Sequence, residues 1–532
     1  MISNLRIDAE GIQASFEEFC CQLFRRAPEV PARSRPRRIR GAGGDGGVEA
    51  TWTFQNEKVW GLQAKFFSKL GASEKGQLTE SVRQAAANYR SLERYTICLP
   101  FNLTGRKGAK AGKPKSGEHE KLSAWIDEWK AELAQAGRSV EFELWDETDL
   151  LGRLAAADPS GGLTRYWFHG EALSDTWFNQ RLIEAKAQAG QRYSPELAVA
   201  TPLDDALQAF GRSEPWINRI ENLRDRFSDK LDWWRRTSDR RLESFSVLPT
   251  ELSEKANALL ATAEPIEDDL GLAAESPEVL SSPSFRTAVR STIDSGSALQ
   301  PILREALLKK YGPSADTPGF RQLRAEYHVD FPMAPLDHLI ELLGVLKEVE
   351  QLAFQPEGQL PASTAMLLRG EAGIGKTHGI VDGAVRRSEQ GLRSVVLFGE
   401  DFAAADPWHS IFGKLGFGTA EGRDSILDAL NAVGEATGFP LVIFIDALNE
   451  TQPDRRKWQQ WLPPMLEQIK PRPFLKLCVS CRDIYLREVI PPSLELPTIV
   501  HNGFLGREYE AQFSSLVIPP PAPPAQGPSA IP

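Results

Sequence analysis

The chain has 532 residues, 41% apolar and 25% charged, which is enough for about three domains with separate cores. A formal net charge of −10 argues against a protein coated with nucleic acid, so any DNA contact is expected to be local. No signal-peptide core opens the sequence and no apolar run approaches membrane-spanning length, so no membrane partner and a soluble, cytoplasmic protein are expected.

Near the amino terminus, Phe16, Phe19, Cys20 and Leu23 recur at helical spacing, with Glu17 at the border of that stripe. The basic residues Arg25, Arg26, Arg33, Arg35, Arg37, Arg38 and Arg40 follow. Such a cluster suits salt-sensitive phosphate binding, or is a solvated loop. Next come Gly43-Gly44-Asp45-Gly46-Gly47-Val48-Glu49, a glycine-flanked acid opening a strand, and a second strand, Val59-Trp60-Gly61-Leu62-Gln63-Ala64-Lys65. Side chains alternate along a strand, so Gln63 and Lys65 share a face. One acid with a polar-x-Lys pair can build a hydrolytic metal site. Asp45 supplies the charged ligand, Gln63 a carbonyl oxygen, and Lys65 orients water or stabilises charge on the phosphate, with Glu17 completing the metal shell. Each part alone is equally well a turn or a solvated strand face.

Phe16-Glu17, Gly44-Asp45-Gly46-Gly47 and Gln63-Ala64-Lys65, in that order, resemble the Mrr-like branch of the PD-(D/E)xK nucleases over about residues 5 to 160. The wider superfamily has an acid where Gln63 stands, and the amide removes one negative charge from the metal shell. The resemblance implies a restriction-endonuclease-like mixed sheet flanked by helices in residues 1–165, acting on double-stranded DNA with Mg²⁺.

Residues 166–335 read as a helical connector. Within 217–236, Ile220, Leu223, Phe227, Leu231 and Trp234 fall on one face of a helix whose other face is charged. Proline and glycine punctuation around 260–300 and 312–320 predicts helix ends and linkers.

The most specific pattern is Gly370-Glu371-Ala372-Gly373-Ile374-Gly375-Lys376-Thr377, a G-x-x-x-x-G-K-S/T loop that wraps nucleotide phosphates in backbone amides. An apolar strand at 365–368 precedes it and a helix from Ile380 to Arg387 follows. Gly370, Gly373 and Gly375 permit the close turn, Lys376 reaches the β- and γ-phosphates, and Thr377 ligates Mg²⁺. A second apolar run, Leu441 to Ile445, ends in Asp446, placed to hold the ion, and Glu450 is the candidate to orient the attacking water. A third run, Phe474 to Val479, leads to Arg482, a candidate γ-phosphate sensor or a surface arginine paired with Asp483. Strands at 394–398 and 441–445 alternate with a helix at 425–437, as a parallel sheet requires. The five cysteines, Cys20, Cys21, Cys98, Cys478 and Cys481, are too sparse for a disulfide framework, and the C-x-x-C at 478–481 lacks a second ligand pair.

This carboxyl-terminal segment resembles the STAND class of P-loop NTPases, which includes the NACHT and NB-ARC proteins, over roughly residues 330 to 515. The resemblance implies a domain at 336–515 that binds ATP and Mg²⁺ in a P-loop parallel sheet and acts as a nucleotide-gated switch. Asn449 stands where many members carry another acid, and the family's lid, winged helix and sensor are not visible. Residues 516–532 read as a proline-rich tail, disordered or cut where the lid would begin.

Together the segments resemble the antiviral STAND proteins of prokaryotes, implying an α/β antiphage effector. It would be a DNA endonuclease restrained by the switch, clustered as a homo-oligomer, and triggered by a phage protein through a C-terminal sensor this chain lacks. Two alternatives stay open: an NTP-dependent, type IV-like restriction enzyme acting on modified DNA, and a non-cleaving signalling or DNA-binding scaffold.

Overall fold

The computed structural model describes residues 2–7, 11–30, 35–39, 46–54, 56–105, 117–169, 172–197, 201–240, 250–274, 276–312, 334–403, 406–418 and 422–503. Asp45, Arg33, Arg40, the punctuated stretch at 313–320 and the proline-rich segment at 516–532 lie outside them. The chain is α/β and forms two compact units.

The first unit comprises Met1–Arg181 with Ile411–Leu441 and Arg472–Leu475. Its sheet is mixed: β1 (Arg35–Arg38), β2 (Ala50–Thr53), β3 (Val59–Ala64), β4 (Leu92–Cys98) and β5 (Glu141–Trp145) lie in that order, antiparallel from β1 to β3 and parallel from β3 to β5. The two parallel connections are the helices Ala72–Asn88 and Glu118–Gln135, whose Leu78, Val82, Leu122, Trp125 and Trp129 join Val48, Tyr95 and Ile97 in one core. The helix Ile12–Arg25 packs on β3, and the expected stripe of Phe16, Phe19, Cys20 and Leu23 is buried.

The helix Arg423–Thr437 also belongs to this unit, packed along Gly162–Phe168. A Cβ on Gly162 would stand 2.4 Å from Asp428 Cβ, so the close approach requires glycine. Arg25 and Arg26 each reach Glu435, at 3.1 and 2.5 Å, and Gln22 donates from Nε2 to the Ala432 carbonyl at 3.1 Å.

The second unit holds Leu182–Ser410, Val442–Pro471 and Lys476–Pro532. Its strands β6 (Ala365–Gly370), β7 (Ser394–Phe398), β8 (Leu441–Asp446), β9 (Leu475–Arg482) and β10 (Thr498–Val500) form a parallel sheet in the order β10-β6-β9-β8-β7. All six residues of β8 are buried, which is why its sequence reads as a continuous apolar run. Beside the sheet, the helices Glu214–Arg240, Thr250–Ala273, Pro283–Tyr311 and Ala334–Phe354 share a core containing Ile220, Leu223, Phe227, Leu231 and Trp234.

One expectation is corrected here. Residues 260–300, expected to hold helix ends and linkers, do contain helix ends at Ala273, Ser281 and Pro283 but are otherwise almost wholly helical, with Pro265 inside a helix of 24 residues and Pro301, just beyond, inside one of 29. The break is confined to a few residues around Pro277 and Pro283. Buried Ala263, Ile266, Leu270, Leu299 and Leu303 supply apolar packing that offsets the lost backbone hydrogen bonds. Among the described residues no helix is long and apolar enough to cross a membrane.

Candidate functional site

Each unit gathers polar side chains at strand ends. In the first unit the turn at Gly46 and Gly47 is built by steric exclusion. Gly47 has φ +86°, and a Cβ there would stand 2.1 Å from the Ser81 carbonyl oxygen and 2.4 Å from the Ala85 nitrogen. Tyr95 donates its hydroxyl to the Gly47 carbonyl at 2.7 Å, and Asn88 donates to Gly46 at 3.2 Å. The chain then enters β2 in fixed register, with Ala50 opposite Leu62 and the Glu49 amide donating to the Leu62 carbonyl at 2.7 Å. That register sets Glu49 across from Gln63.

Glu49, which the sequence reading did not select, is the centre of the cluster. It is 4% exposed and Gln63 is fully buried. Gln63 donates from Nε2 to Glu49 Oε1 at 2.5 Å, Lys65 Nζ stands 3.7 Å from the same oxygen, and Arg38 Nη1 lies 3.7 Å from Oε2. Arg38 continues to Glu18, its Nε donating at 3.0 Å. Gln63 and Lys65 are therefore brought together as expected, around Glu49, while Asp45 lies outside the described residues. Glu17 is half-buried on its helix, and the helix carboxylate joined to the cluster through Arg38 is its neighbour Glu18. The cue for Glu49 was the pairing register across the hairpin, which a reading of single strands does not contain.

In the second unit, β6 runs into the loop at Gly370 and the helix Lys376–Glu389 opens immediately after Gly375. Gly373 and Gly375 are left-handed, at φ +79° and +96°, a region that glycine enters without cost. Lys376 is 8% exposed and donates from Nζ to the Gly370 carbonyl at 2.9 Å and the Glu371 carbonyl at 2.6 Å. Burial draws its pKa below the ordinary lysine value, with Asp446 acting in the opposite direction.

Thr377 donates from Oγ1 to Asp446 Oδ2 at 2.5 Å. Asp446 is 1% exposed, and its other oxygen accepts from the Ser480 hydroxyl at 2.5 Å. Ser480 in turn accepts from the Ala447 amide at 2.7 Å, which locks the carboxylate at the end of β8. Glu450 is held twice, by Arg482 Nη2 at 2.6 Å and by Arg192 Nη1 at 3.3 Å. The Arg482 backbone amide donates to Asn449 Oδ1 at 3.1 Å, so β9 and the turn after β8 are tied together.

All eight residues expected at this site, Glu450 included, fall within one strand–loop–helix and the adjoining strand ends. Ser480 and Arg192 had no cue in the sequence, since a strand serine and an arginine far from the loop carry no motif. Thr377 and Asp446 offer adjacent oxygen donors, the type Mg²⁺ takes, and the start of the helix Lys376–Glu389 favours an anion. In the first unit Glu49 and Gln63 are likewise oxygen donors, but the Glu49 carboxylate faces both Arg38 and Lys65. Among the described residues no group of three or more histidine, cysteine, aspartate and glutamate side chains forms a metal cluster. No protein-family model and no curated protein matches the chain, so its functional reading rests on these two constellations.

Proposed function

We propose that this chain is a Mg²⁺-dependent DNA endonuclease controlled by an ATP-binding switch of the STAND type, an antiphage effector in which clustering of copies raises local cutting. The observation that carries the reading is the convergence of Gln63 and Lys65 on Glu49 in the unit preceding a glycine-loop nucleotide site.

At the nucleotide site, Lys376 and the amides of the helix start bind phosphate, and Thr377 and Asp446 hold the Mg²⁺ that neutralises phosphate charge. Ser480 keeps the Asp446 carboxylate in place, Glu450 orients a water, and Arg482 meets the γ-phosphate. At the cutting site, Glu49 and the Gln63 carbonyl are the ligands on hand, with Asp45 as a further carboxylate, and bound Mg²⁺ would supply Lewis-acid activation of water. Lys65 stabilises charge on the phosphodiester, and Arg38, bonded to Glu18 and 3.7 Å from the Glu49 carboxylate, holds that carboxylate in place.

The second reading, a non-cleaving scaffold that binds DNA or a partner, is favoured by one feature: Arg38 and Lys65 both stand 3.7 Å from Glu49, so its carboxylate is already engaged by two cations. Supercoiled plasmid with Mg²⁺ and ATP separates the two. Wild type nicks it while Glu49→Gln, Lys65→Ala and Asp45→Ala do not, under conditions where the trigger or enforced clustering is supplied. Equal behaviour of all four leaves the scaffold reading.

A further inference from the structure

One residue touches both ends of the phosphate loop. Val500 of the edge strand β10 pairs with Arg369, and the His501 amide donates to the Arg369 carbonyl at 2.8 Å, which sets His501 beside Gly370. A Cβ on Gly370 would stand 2.4 Å from the His501 carbonyl oxygen. At the far end of the loop the imidazole lies against the Ile374–Gly375 peptide: a Cβ on Gly375 would stand 3.6 Å from His501 Nε2. The residue is only 8% exposed.

We propose that His501 is a positioning residue for nucleotide binding, fixing the Ile374–Gly375 peptide so that the Gly375 amide faces the phosphates of a nucleoside diphosphate or triphosphate. The inference rests on the nucleotide-binding reading above. Its physical basis is the planarity of the peptide: the carbonyl and the following N–H point in opposite directions, so a carbonyl held by His501 turns the Gly375 N–H away from the ring. A loop that binds through its amides gains affinity when they are already aimed, because less freedom is lost on binding. A neutral imidazole has one donor and one acceptor, and in this proposal the donor is given to the Ile374 carbonyl. Burial holds the ring neutral by drawing its pKa below the ordinary value; the Ile374 backbone and the charge of Asp204 act against this, and Lys376 and His378 with it.

The test is titration of the full chain with ADP carrying a fluorescent ribose label, for wild type, His501→Ala, His501→Gln and Lys376→Ala, together with the unfolding temperature of each without nucleotide. His501→Ala is expected to bind about tenfold more weakly, the loss of about one hydrogen bond's worth of preorganisation. His501→Gln, which keeps an N–H donor, is expected within about threefold of wild type. Both should unfold close to the wild-type temperature. The proposal falls if His501→Ala binds like wild type, or if both His501 variants lose affinity and unfolding temperature in parallel, as a packing role requires. Should wild type bind no better than Lys376→Ala, the nucleotide reading itself fails and takes the proposal with it.

Discussion

Gln63 Nε2 donates to Glu49 Oε1 at 2.5 Å, joining the end of β3 to the residue before β2 with both partners shut off from solvent. A buried carboxylate needs its charge answered, and here an amide, an ammonium and a guanidinium share that role. The arrangement makes Glu49 the hinge of any chemistry at this end of the sheet.

Glu49→Gln is therefore expected to abolish plasmid cleavage, by at least about a hundredfold, while preserving side-chain shape. It also leaves Arg38 and Lys65 without their shared carboxylate, at about 1–3 kcal/mol of stability. Cleavage assays and denaturant unfolding check both effects. Undiminished cutting by Glu49→Gln would remove this cluster from the reaction.

The glycine-loop constellation of the second unit was legible in the sequence because the loop is carried by contiguous residues. A glycine loop must be glycine where φ is positive, and an apolar run ending in Asp446 marks a buried strand with an acid at its end. The first-unit cluster was half legible. Gln63 near the end of β3 and Lys65 just past it are two residues apart in extended chain, so period two places them together, but Glu49 enters through pairing with a neighbouring strand. Ser480, Arg192 and His501 were invisible for the same reason, since each reaches its partner only through the register or packing of distant segments. Pro265 and Pro301 misled because proline is read as a local stop, whereas these helices are held by a shared apolar core.

The second unit is expected to lose stability on mild acidification. Burial lowers the pKa of both His378 and His501 from the ordinary 6.5. Below that value the unfolded chain takes up protons that the folded chain refuses, so stability present above it declines as pH falls. Asp382, whose pKa burial raises from 3.8, works in the opposite direction, and nearer the carboxylate range. Unfolding temperatures at about pH 7.5 and about pH 5.5 should differ less in a His378→Gln, His501→Gln double variant than in wild type. An unchanged difference would assign the acid sensitivity to other groups.

Glu435 is expected to matter for stability out of proportion to its position. An acid in the last turn of the helix Arg423–Thr437 opposes the helix dipole, and its side chain is only 4% exposed. Arg25 at 3.1 Å and Arg26 at 2.5 Å compensate it. Glu435→Ala removes the carboxylate bound to Arg26 and the nearer partner of Arg25, which keeps Glu18 at 4.0 Å, and should cost about 2 kcal/mol, below the figure for a fully buried pair because both arginines keep some solvent. Glu435→Gln, which retains hydrogen bonding, should cost less. Equilibrium denaturation of the three chains gives the ranking, and equal midpoints would show that the pairs contribute nothing.

Glu450 should respond unequally to the loss of its two arginines. Arg482 binds Oε1 at 2.6 Å from the end of β9, which also carries the Asp446 partner Ser480, whereas Arg192 binds Oε2 at 3.3 Å. The two arginines are about equally exposed, at 37% and 39%, so either pair by itself contributes about 0–1 kcal/mol to stability, and the difference expected comes from position, Arg482 standing at the end of β9. Arg192→Ala is thus expected to change ATP turnover less than about fivefold. Arg482→Ala removes both the nearer partner of Glu450 and the strand-end cation proposed to meet the γ-phosphate, and should lower turnover by at least about tenfold. Arg482 meets the loop at Gly370 through the backbone pairing of β6 with β9, which truncation of its side chain leaves in place, so ADP affinity should be nearly unchanged in both. Parallel measurement of turnover and ADP binding decides the matter: a larger loss in Arg192→Ala would move the γ-phosphate contact to Arg192, and a loss of ADP affinity in either would place that arginine on the loop side of the site.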